Sequence, residues 1–142
     1  MTQVDFYILN NQPDDGLALL TCRLAEKAYL KGHHAYIHTT DQRQSQLIDD
    51  LLWRFKEESF VPHCQLLNEE DQAQVMIGYD REPPLAFDLL INLAEEVPLF
   101  FSRFVRVVEI VACDEAQKLL ARERFRFYRD RGYPLNSHNI TL

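Results

Sequence analysis

The sequence predicts an α/β fold, a three-layer sandwich with a mainly parallel sheet between two layers of helices. Short segments rich in Val, Ile, Leu and aromatic residues alternate with longer amphipathic segments, and the connections between them are short. This alternation is typical of βαβ units, in which each helix returns the chain to the same edge of the sheet. The 142 residues suit one domain, and 4 Gly and 6 Pro leave little room for linkers. We therefore expect a single domain over residues 1–142.

The first half of the chain contains two strand–helix pairs. Residues 4–9 form a strand-like segment, and the acidic residues 14–15 then begin a helix, where the helix dipole favours negative charge. Apolar residues repeat at three- and four-residue steps along that helix until Gly32 ends it. Residues 34–38 predict a second strand, and residues 40–41 supply an N-cap for a second helix. The apolar side of the second helix carries Leu47, Leu51 and Leu52.

The second half is less regular but completes the same pattern. Asp114 is a suitable N-cap for a last helix, which Gly132 and Pro134 end. Before that helix the sequence predicts an apolar loop at 59–63, strands at 75–78, 87–92 and 104–112, and a short helical turn at 98–102. The expected topology is Rossmann-like, but no glycine-rich nucleotide fingerprint accompanies it.

The sequence lacks the motifs of common catalytic and cofactor sites. No GxxxxGK, GxGxxG, GxSxG or HExxH occurs. We interpret His33, His34 and His38 as incidental to a turn and a strand edge rather than as metal ligands. We therefore expect no catalytic residues, no metal and no cofactor. The main alternative is a small α/β enzyme or nucleotide binder that uses the carboxyl ends of the parallel strands.

Composition also limits where the protein acts. The apolar runs are far shorter than the roughly 20 residues that a membrane span requires, and Met1 precedes polar residues rather than a secretory signal. Cys22, Cys64 and Cys113 are odd in number and widely spaced, which argues against a disulfide framework. We expect no membrane association and a reducing, cytoplasmic environment.

The net charge of −7 is unevenly distributed along the chain. Residues 114–132 hold six basic and four acidic residues, whereas the remaining chain holds nine basic and 18 acidic residues. The acidic body is a poor surface for duplex DNA, because the phosphate backbone favours a broad positive surface. A local basic patch suits a small anionic target better. Direct binding of single-stranded DNA by this helix is an alternative, although the acidic remainder makes us expect little of it.

The basic residues of the last helix share one face. With 100° per residue, Leu119, Leu120, Glu123 and Phe127 lie close to Ala116, and we predict this stripe to face the core. Almost opposite lie Lys118, Arg122, Phe125 and Arg129, spaced at four, three and four residues. This second face is either a solvated charged surface or a recognition surface for a short acidic peptide, whose carboxylates the cations would bind.

A second candidate surface follows the second helix. Trp53 lies at the predicted end of that helix, and Phe60 follows seven residues later in the apolar loop. Two large aromatic residues that flank a polar stretch are either packed beneath the loop or exposed as a hydrophobic docking patch. Tryptophan is favoured as an anchor at protein interfaces, so the second interpretation remains open.

These segments together resemble the chi subunit of bacterial DNA polymerase III, an accessory of the clamp-loader complex. The resemblance covers the chain from end to end and is weakest between Cys64 and Pro84. Its most specific parts are Ser-Phe-Val-Pro-His at 59–63 and Lys-Leu-Leu-Ala-Arg-Glu-Arg at 118–124. Further matching residues occur at 6–9, 52–53, 128–129, 132–133 and 135–136.

The resemblance implies a non-catalytic adaptor in the bacterial cytoplasm. Chi-like proteins bind a small partner, psi, which links them to the clamp loader. They also bind the acidic C-terminal tail of the single-stranded-DNA-binding protein, which ends in an apolar residue and a free carboxylate. The resemblance places Val111, Lys118, Arg122 and Phe125 at the tail, with Phe125 where the family has tyrosine, and it places Trp53 and Phe60 at psi. The assignment of Arg129 to the tail site rests on helix geometry alone.

Overall fold

The computed structural model describes residues 2–11, 15–55, 61–67, 73–83 and 88–142. In these residues it contains seven strands, three α-helices and one 3₁₀ turn. The strands are β1 (Gln3–Leu9), β2 (Ala35–Thr39), β3 (His63–Gln65), β4 (Val75–Tyr79), β5 (Leu89–Asn92), β6 (Arg106–Val111) and β7 (Leu135–Ile140). The helices are α1 (Gly16–Leu30), α2 (Gln42–Arg54) and α3 (Glu115–Asp130), and the 3₁₀ turn is Phe101–Arg103.

All seven strands belong to one sheet, in the order β3-β4-β2-β5-β6-β1-β7. Every pairing between these strands is parallel. The first strand, β1, lies between β6 and β7, with Phe6 opposite Glu109 on one side and Ser137 on the other. The predicted α/β architecture with a mainly parallel sheet is therefore confirmed.

Two apolar cores cover the two faces of the sheet, because successive side chains of a strand point to opposite faces. The first core joins α1 and α2 to residues such as Ile37, Ile77 and Val108. The second core joins α3 and the 3₁₀ turn to the alternate residues of the same strands, among them Tyr36 and Val107. Helices therefore lie on both faces, as the three-layer prediction requires.

Several predicted helix ends are confirmed in detail. The Asp41 carboxylate accepts a hydrogen bond from Gln44 N, and the Asp114 carboxylate accepts one from Gln117 N, both at 2.9 Å. Gly32 and Gly132 follow the ends of α1 and α3 with φ of 77° and 78°. A residue with a Cβ is strained at such positive φ, which explains glycine at both helix ends.

Other local predictions require correction. Helix α1 begins at Gly16, and Asp15 precedes it in a left-handed conformation without a side-chain cap; Asp14 lies outside the described residues. Leu47 of α2 is 42% exposed, and Ile48 is buried in its place. The edge strands β3 and β7 were not predicted, because β3 has only three residues and β7 is mostly polar.

The predicted core-facing stripe of α3 is wrong at Leu119 and Glu123, although Phe127 packs against the second core as predicted. Leu119 is 57% exposed and Glu123 is also exposed, whereas Ala121, Arg124 and Tyr128 are buried. The helix is rotated because Arg124 and Tyr128 form polar contacts inside the protein, which hydrophobic periodicity does not detect. This rotation brings Phe125 to the edge of the second core, so it is half-buried instead of facing away.

Candidate functional site

A groove lies between α3 and the end of the sheet formed by β6, β1 and β7. Its volume is about 200 Å³, and its floor is mainly apolar. It brings together four of the residues predicted to bind a peptide tail, Val111, Lys118, Arg122 and Phe125. The other lining residues, which the sequence analysis did not identify, are Phe6, Ile8, Ala121 and Ser137.

The apolar floor of the groove is fixed by packing on the sheet. The Phe125 ring lies edge-on to the Phe6 ring of β1, with 5.3 Å between the centroids. Phe6 in turn contacts the buried Tyr128 ring at 6.0 Å. Offset and edge-to-face aromatic contacts of this kind stabilise by about 0.5–1.5 kcal/mol beyond area burial. Phe125 is therefore held in place while part of its ring remains accessible from the groove.

The rim of the groove is positively charged. Lys118 forms only a loose pair with Glu115, at 3.8 Å, and both lie at the surface. Arg122 is exposed, and no residue in the described ranges pairs with its guanidinium. Because exposed ion pairs contribute only about 0.2–1 kcal/mol, an incoming carboxylate can replace the Glu115 contact at little cost. The groove thus offers apolar contacts below and two cations above.

Arg129 does not line this groove. Its guanidinium contacts the neighbouring Asp130 carboxylate at 3.2 Å, and both side chains are exposed. It lies seven residues beyond Arg122, which corresponds to about 10 Å along a helix. Arg129 was grouped with Lys118 and Arg122 because the three residues point in similar directions around the helix. That projection ignores distance along the helix axis, and this distance takes Arg129 away from the groove.

Beneath the groove, a buried polar cluster fastens α3 to the sheet. The Glu109 carboxylate accepts hydrogen bonds from Arg124 Nε at 2.9 Å, from the Tyr128 hydroxyl at 2.6 Å and from Asn92 Nδ2 at 3.0 Å. Arg124 also donates to the Glu95 carbonyl at 3.1 Å. The cluster was missed at the sequence level, although an acidic residue inside the apolar run of β6 was a signal for it.

Burial governs the acid–base behaviour of this cluster. Burial raises the pKa of the Glu109 carboxyl, and the positive charge of Arg124 and the donated hydrogen bonds oppose that rise. Burial and the adjacent carboxylate raise the pKa of the Tyr128 hydroxyl well above its usual value. The hydroxyl therefore remains a hydrogen-bond donor, which matches its short contact with Glu109. The position of α3, and hence of Phe125, depends on these contacts.

The second predicted surface, around Trp53, lies at the end of α2. The Trp53 side chain is 57% exposed, and its ring lies over the His63 ring with 4.5 Å between the centroids. His63 belongs to β3 and its side chain is fully buried. Phe60, predicted to share this surface, lies outside the described residues. Trp53 is therefore not packed beneath a loop in the described part of the chain; one side of it faces solvent.

The carboxyl ends of β2 and β5 border a cleft of about 510 Å³, where the alternative of a nucleotide binder would place its ligand. One guanidinium, that of Arg81, lines this cleft together with four carboxylates, those of Asp80, Glu82, Glu95 and Glu96. Such a charge balance repels phosphate groups. His38 at its base is buried and lies 3.1 Å from Asn92 Oδ1, and burial lowers its pKa. The cleft therefore does not support the nucleotide alternative.

The described residues show neither a metal centre nor a membrane-spanning helix. These ranges contain no group of three or more His, Cys, Asp or Glu side chains placed to hold a metal ion. Within them, no helix combines the length and apolar character needed to cross a membrane.

Comparisons with known proteins agree over nearly the whole chain. The model of the family described as "DNA polymerase III chi subunit, HolC" matches residues 1–136. The DNA polymerase III subunit chi of Pseudomonas aeruginosa is 42% identical over 140 residues, which cover 99% of this chain and 98% of that protein. The subunit chi of Escherichia coli is 34% identical over 144 residues, with 96% and 97% covered.

A solved structure shows that the fold also occurs elsewhere. The crystal structure of T4 UvsW superposes with a TM-score of 0.67 and covers 99% of this chain but 42% of the UvsW chain. At 9% identity this likeness concerns the fold alone. The family match and the curated relatives, by contrast, share sequence over the strands and the helix that build the groove. The chain therefore belongs to the family of DNA polymerase III chi subunits.

Proposed function

We propose that this chain is a non-catalytic replication adaptor that binds two partners on separate surfaces. In the groove beside α3 it binds the acidic C-terminal tail of the single-stranded-DNA-binding protein. At the Trp53 surface it binds psi, through which it is linked to the clamp loader. The observation that carries the proposal is the groove itself, because Val111, Lys118, Arg122 and Phe125 meet around one apolar floor.

The chemistry of the groove suits the end of an acidic peptide. An apolar terminal side chain can rest on the floor between Phe6, Val111 and Phe125, while its free carboxylate meets the exposed Arg122 guanidinium. Acidic residues before the terminus can approach Lys118 after displacing its loose contact with Glu115. Since the family has tyrosine at the position of Phe125, this chain keeps the ring for packing without the hydroxyl.

The size of the groove favours a weak and reversible complex. Burial of one large apolar side chain stabilises by about 1.5–3 kcal/mol. Hydrogen bonds between the carboxylate and a charged donor add about 1.5–3 kcal/mol each. With one or two such hydrogen bonds these terms total about 3–9 kcal/mol before the cost of ordering the tail. We therefore expect a complex no tighter than the micromolar range, which corresponds to about −8 kcal/mol. Because the charges lie at the surface, we expect binding to weaken as salt increases.

Calorimetric titration of an acidic peptide ending in phenylalanine tests this groove. Arg122→Ala removes the charged donor at the rim, and we expect roughly a tenfold or greater loss of affinity. Arg129→Ala is the matched control, because it removes an equally exposed arginine of α3 that does not line the groove. Equal affinities of Arg122→Ala and the unaltered protein would remove the groove from the proposal.

The proposed psi surface is supported by the exposure of Trp53. A large indole that is 57% exposed carries much apolar area, and tryptophan is enriched among residues that dominate interface energies. The surface lies at the end of α2, on the opposite face of the sheet from α3, so the two partners need not compete. Phe60 belongs to the proposal through the resemblance only.

Co-purification with psi tests the second surface. Trp53→Ala and Phe60→Ala should each weaken retention of psi while leaving the affinity for the tail peptide unchanged. Leu119→Ala provides a control, because it truncates an equally exposed apolar side chain on the other face. Loss of both binding activities in one variant would indicate unfolding, and unchanged retention of psi would exclude the Trp53 surface.

Direct binding of single-stranded DNA is the second candidate function and lacks a supporting observation in the groove. Bases stack on exposed aromatic rings along a positive channel. The groove is short, and of its two aromatic rings Phe6 is buried and Phe125 is half-buried. A pull-down with DNA in the absence of other proteins separates the two functions, and we expect no retention.

A further inference from the structure

One stripe of α2 carries four side chains, each of which contacts a side chain of the edge strand β3. The stripe consists of Gln42, Gln46, Asp49 and Trp53, at steps of four, three and four residues. Gln42 Nε2 donates to Gln65 Oε1 at 2.8 Å, and Gln65 Nε2 donates to Gln46 Oε1 at 3.0 Å. These contacts tie the three-residue strand to the helix beyond its own pairing with β4.

Asp49 is the centre of this stripe. Its Oδ2 accepts a hydrogen bond from Gln65 Nε2 at 2.9 Å, and its Oδ1 lies 2.7 Å from His63 Nε2. The second contact places the carboxylate against the buried Nε2 end of the ring, although it lacks the alignment of a hydrogen bond. On the other side of the ring, Nδ1 donates to the Val61 carbonyl at 2.6 Å. The His63 ring is thus held from both ends.

The His63 ring in turn supports the indole of Trp53. The His63 side chain is fully buried, while the indole above it is 57% exposed. With ring centroids 4.5 Å apart, one side of the indole rests on His63 and leaves another side for a partner. An exposed side chain that is already fixed loses less conformational freedom on binding than one that moves freely. A contact beneath Trp53 can therefore affect affinity without touching the partner.

We propose that Asp49 and His63 are positioning residues of the Trp53 docking surface, which they hold in the orientation that the partner binds. The proposal rests on the proposed function, in which psi is that partner. Asp49 orients the His63 ring, and the ring orients the indole. Neither residue needs to contact psi.

Fluorescence measures this effect directly, because Trp53 is the only tryptophan in the chain. Asp49→Ala removes the carboxylate that lies against His63 Nε2 and puts no amide donor in its place. We expect lower fluorescence anisotropy of Trp53, stronger quenching by acrylamide and an affinity for psi reduced about tenfold, with unchanged affinity for the tail peptide. Asp50→Ala is the matched control, because Asp50 is exposed and contacts only Gln46 among the described residues. It should change neither reading.

A further variant separates positioning of the indole from simple tethering of β3. Gln65→Ala removes the other partner of Asp49 and loosens the strand without removing the contact beneath Trp53. We expect it to leave the anisotropy of Trp53 unchanged. Equal losses of anisotropy in Asp49→Ala and Gln65→Ala would overturn the proposal in favour of tethering.

The outcomes distinguish this proposal from the function on which it rests. If Trp53→Ala weakens psi binding but Asp49→Ala alters neither affinity nor anisotropy, the positioning role is refuted and the docking surface stands. If Trp53→Ala leaves psi binding unchanged, the docking surface itself is refuted. The circular dichroism spectrum of each variant must match that of the folded protein. A loss of affinity can then be attributed to the docking surface and not to unfolding.

Discussion

Replacing Arg124 with methionine should destabilise the protein strongly, because it leaves a carboxylate buried without its cation. Arg124 is 5% exposed, and Glu109, which it contacts at 2.9 Å, is fully buried. After the substitution only neutral donors, from Tyr128 and Asn92, remain on the carboxylate. Removal of one partner of a buried pair typically costs about 3–5 kcal/mol. That is a large part of the roughly 5–15 kcal/mol that stabilises an ordinary domain.

Urea denaturation of four proteins measures this cost: the unaltered chain, Arg124→Met, Glu109→Gln and the double variant. The double variant contains no unpaired charge, so we expect it to be more stable than Arg124→Met alone. Lower pH should also restore part of the stability of Arg124→Met. Burial raises the pKa of Glu109 in the folded state, and a raised carboxyl pKa gives stability that increases as pH falls.

Two results would refute this reasoning. A cost below about 1 kcal/mol for Arg124→Met would show that the pair is not desolvated as its burial indicates. Strict additivity of the two substitutions in the double variant would show that the two charges do not interact. Binding of the tail peptide to folded Arg124→Met is a further measurement, and we expect it to weaken because α3 carries Arg122 and Phe125.

Three further predictions concern other parts of the fold. Burial by itself would raise the pKa of the Asp5 carboxyl, but the contacts of Arg106 and His138 together outweigh it and hold that pKa below its usual range. The stability that Asp5 contributes is therefore present above about pH 4 and is lost as pH falls through the lowered pKa. In urea titrations, Asp5→Asn should reduce this loss of stability at acid pH. Gly78→Ala would place a Cβ against the Tyr36 hydroxyl and should cost about 1–3 kcal/mol in thermal unfolding, of which Tyr36→Phe should restore a part. Leu119→Gln should change stability by less than about 0.5 kcal/mol, because the side chain is exposed; a larger loss would support the stripe predicted from periodicity.

Much of the architecture could be predicted from local signals. Asp41, Asp114, Gly32 and Gly132 mark helix ends through capping and backbone conformation, both of which depend on neighbouring residues only. Five apolar strands were evident for the same reason. The strands β3 and β7 were not, because each is defined by its pairing with a distant strand rather than by its own composition.

The candidate site was predictable only in part. Lys118 and Arg122 stand out by charge and spacing on one helix. Phe6 and Ser137 line the groove because β1 and β7 are neighbours in the sheet. The order of strands in a sheet cannot be predicted from a local sequence pattern. The orientation of α3 was misjudged because Arg124 counts as polar in any hydrophobic scale, although its pairing with Glu109 buries it.

The position of β1 between β6 and β7 has a consequence for the order in which the groove beside α3 is assembled. Translation produces β1 first, yet its neighbours β6 and β7 begin at residues 106 and 135. Pairings so distant in sequence form late in folding. The groove takes Ile8 from β1, Val111 from β6 and Ser137 from β7. The groove beside α3 is therefore complete only after β7 has formed, so the site proposed for the tail peptide cannot exist in a chain that has not yet been translated through Ser137.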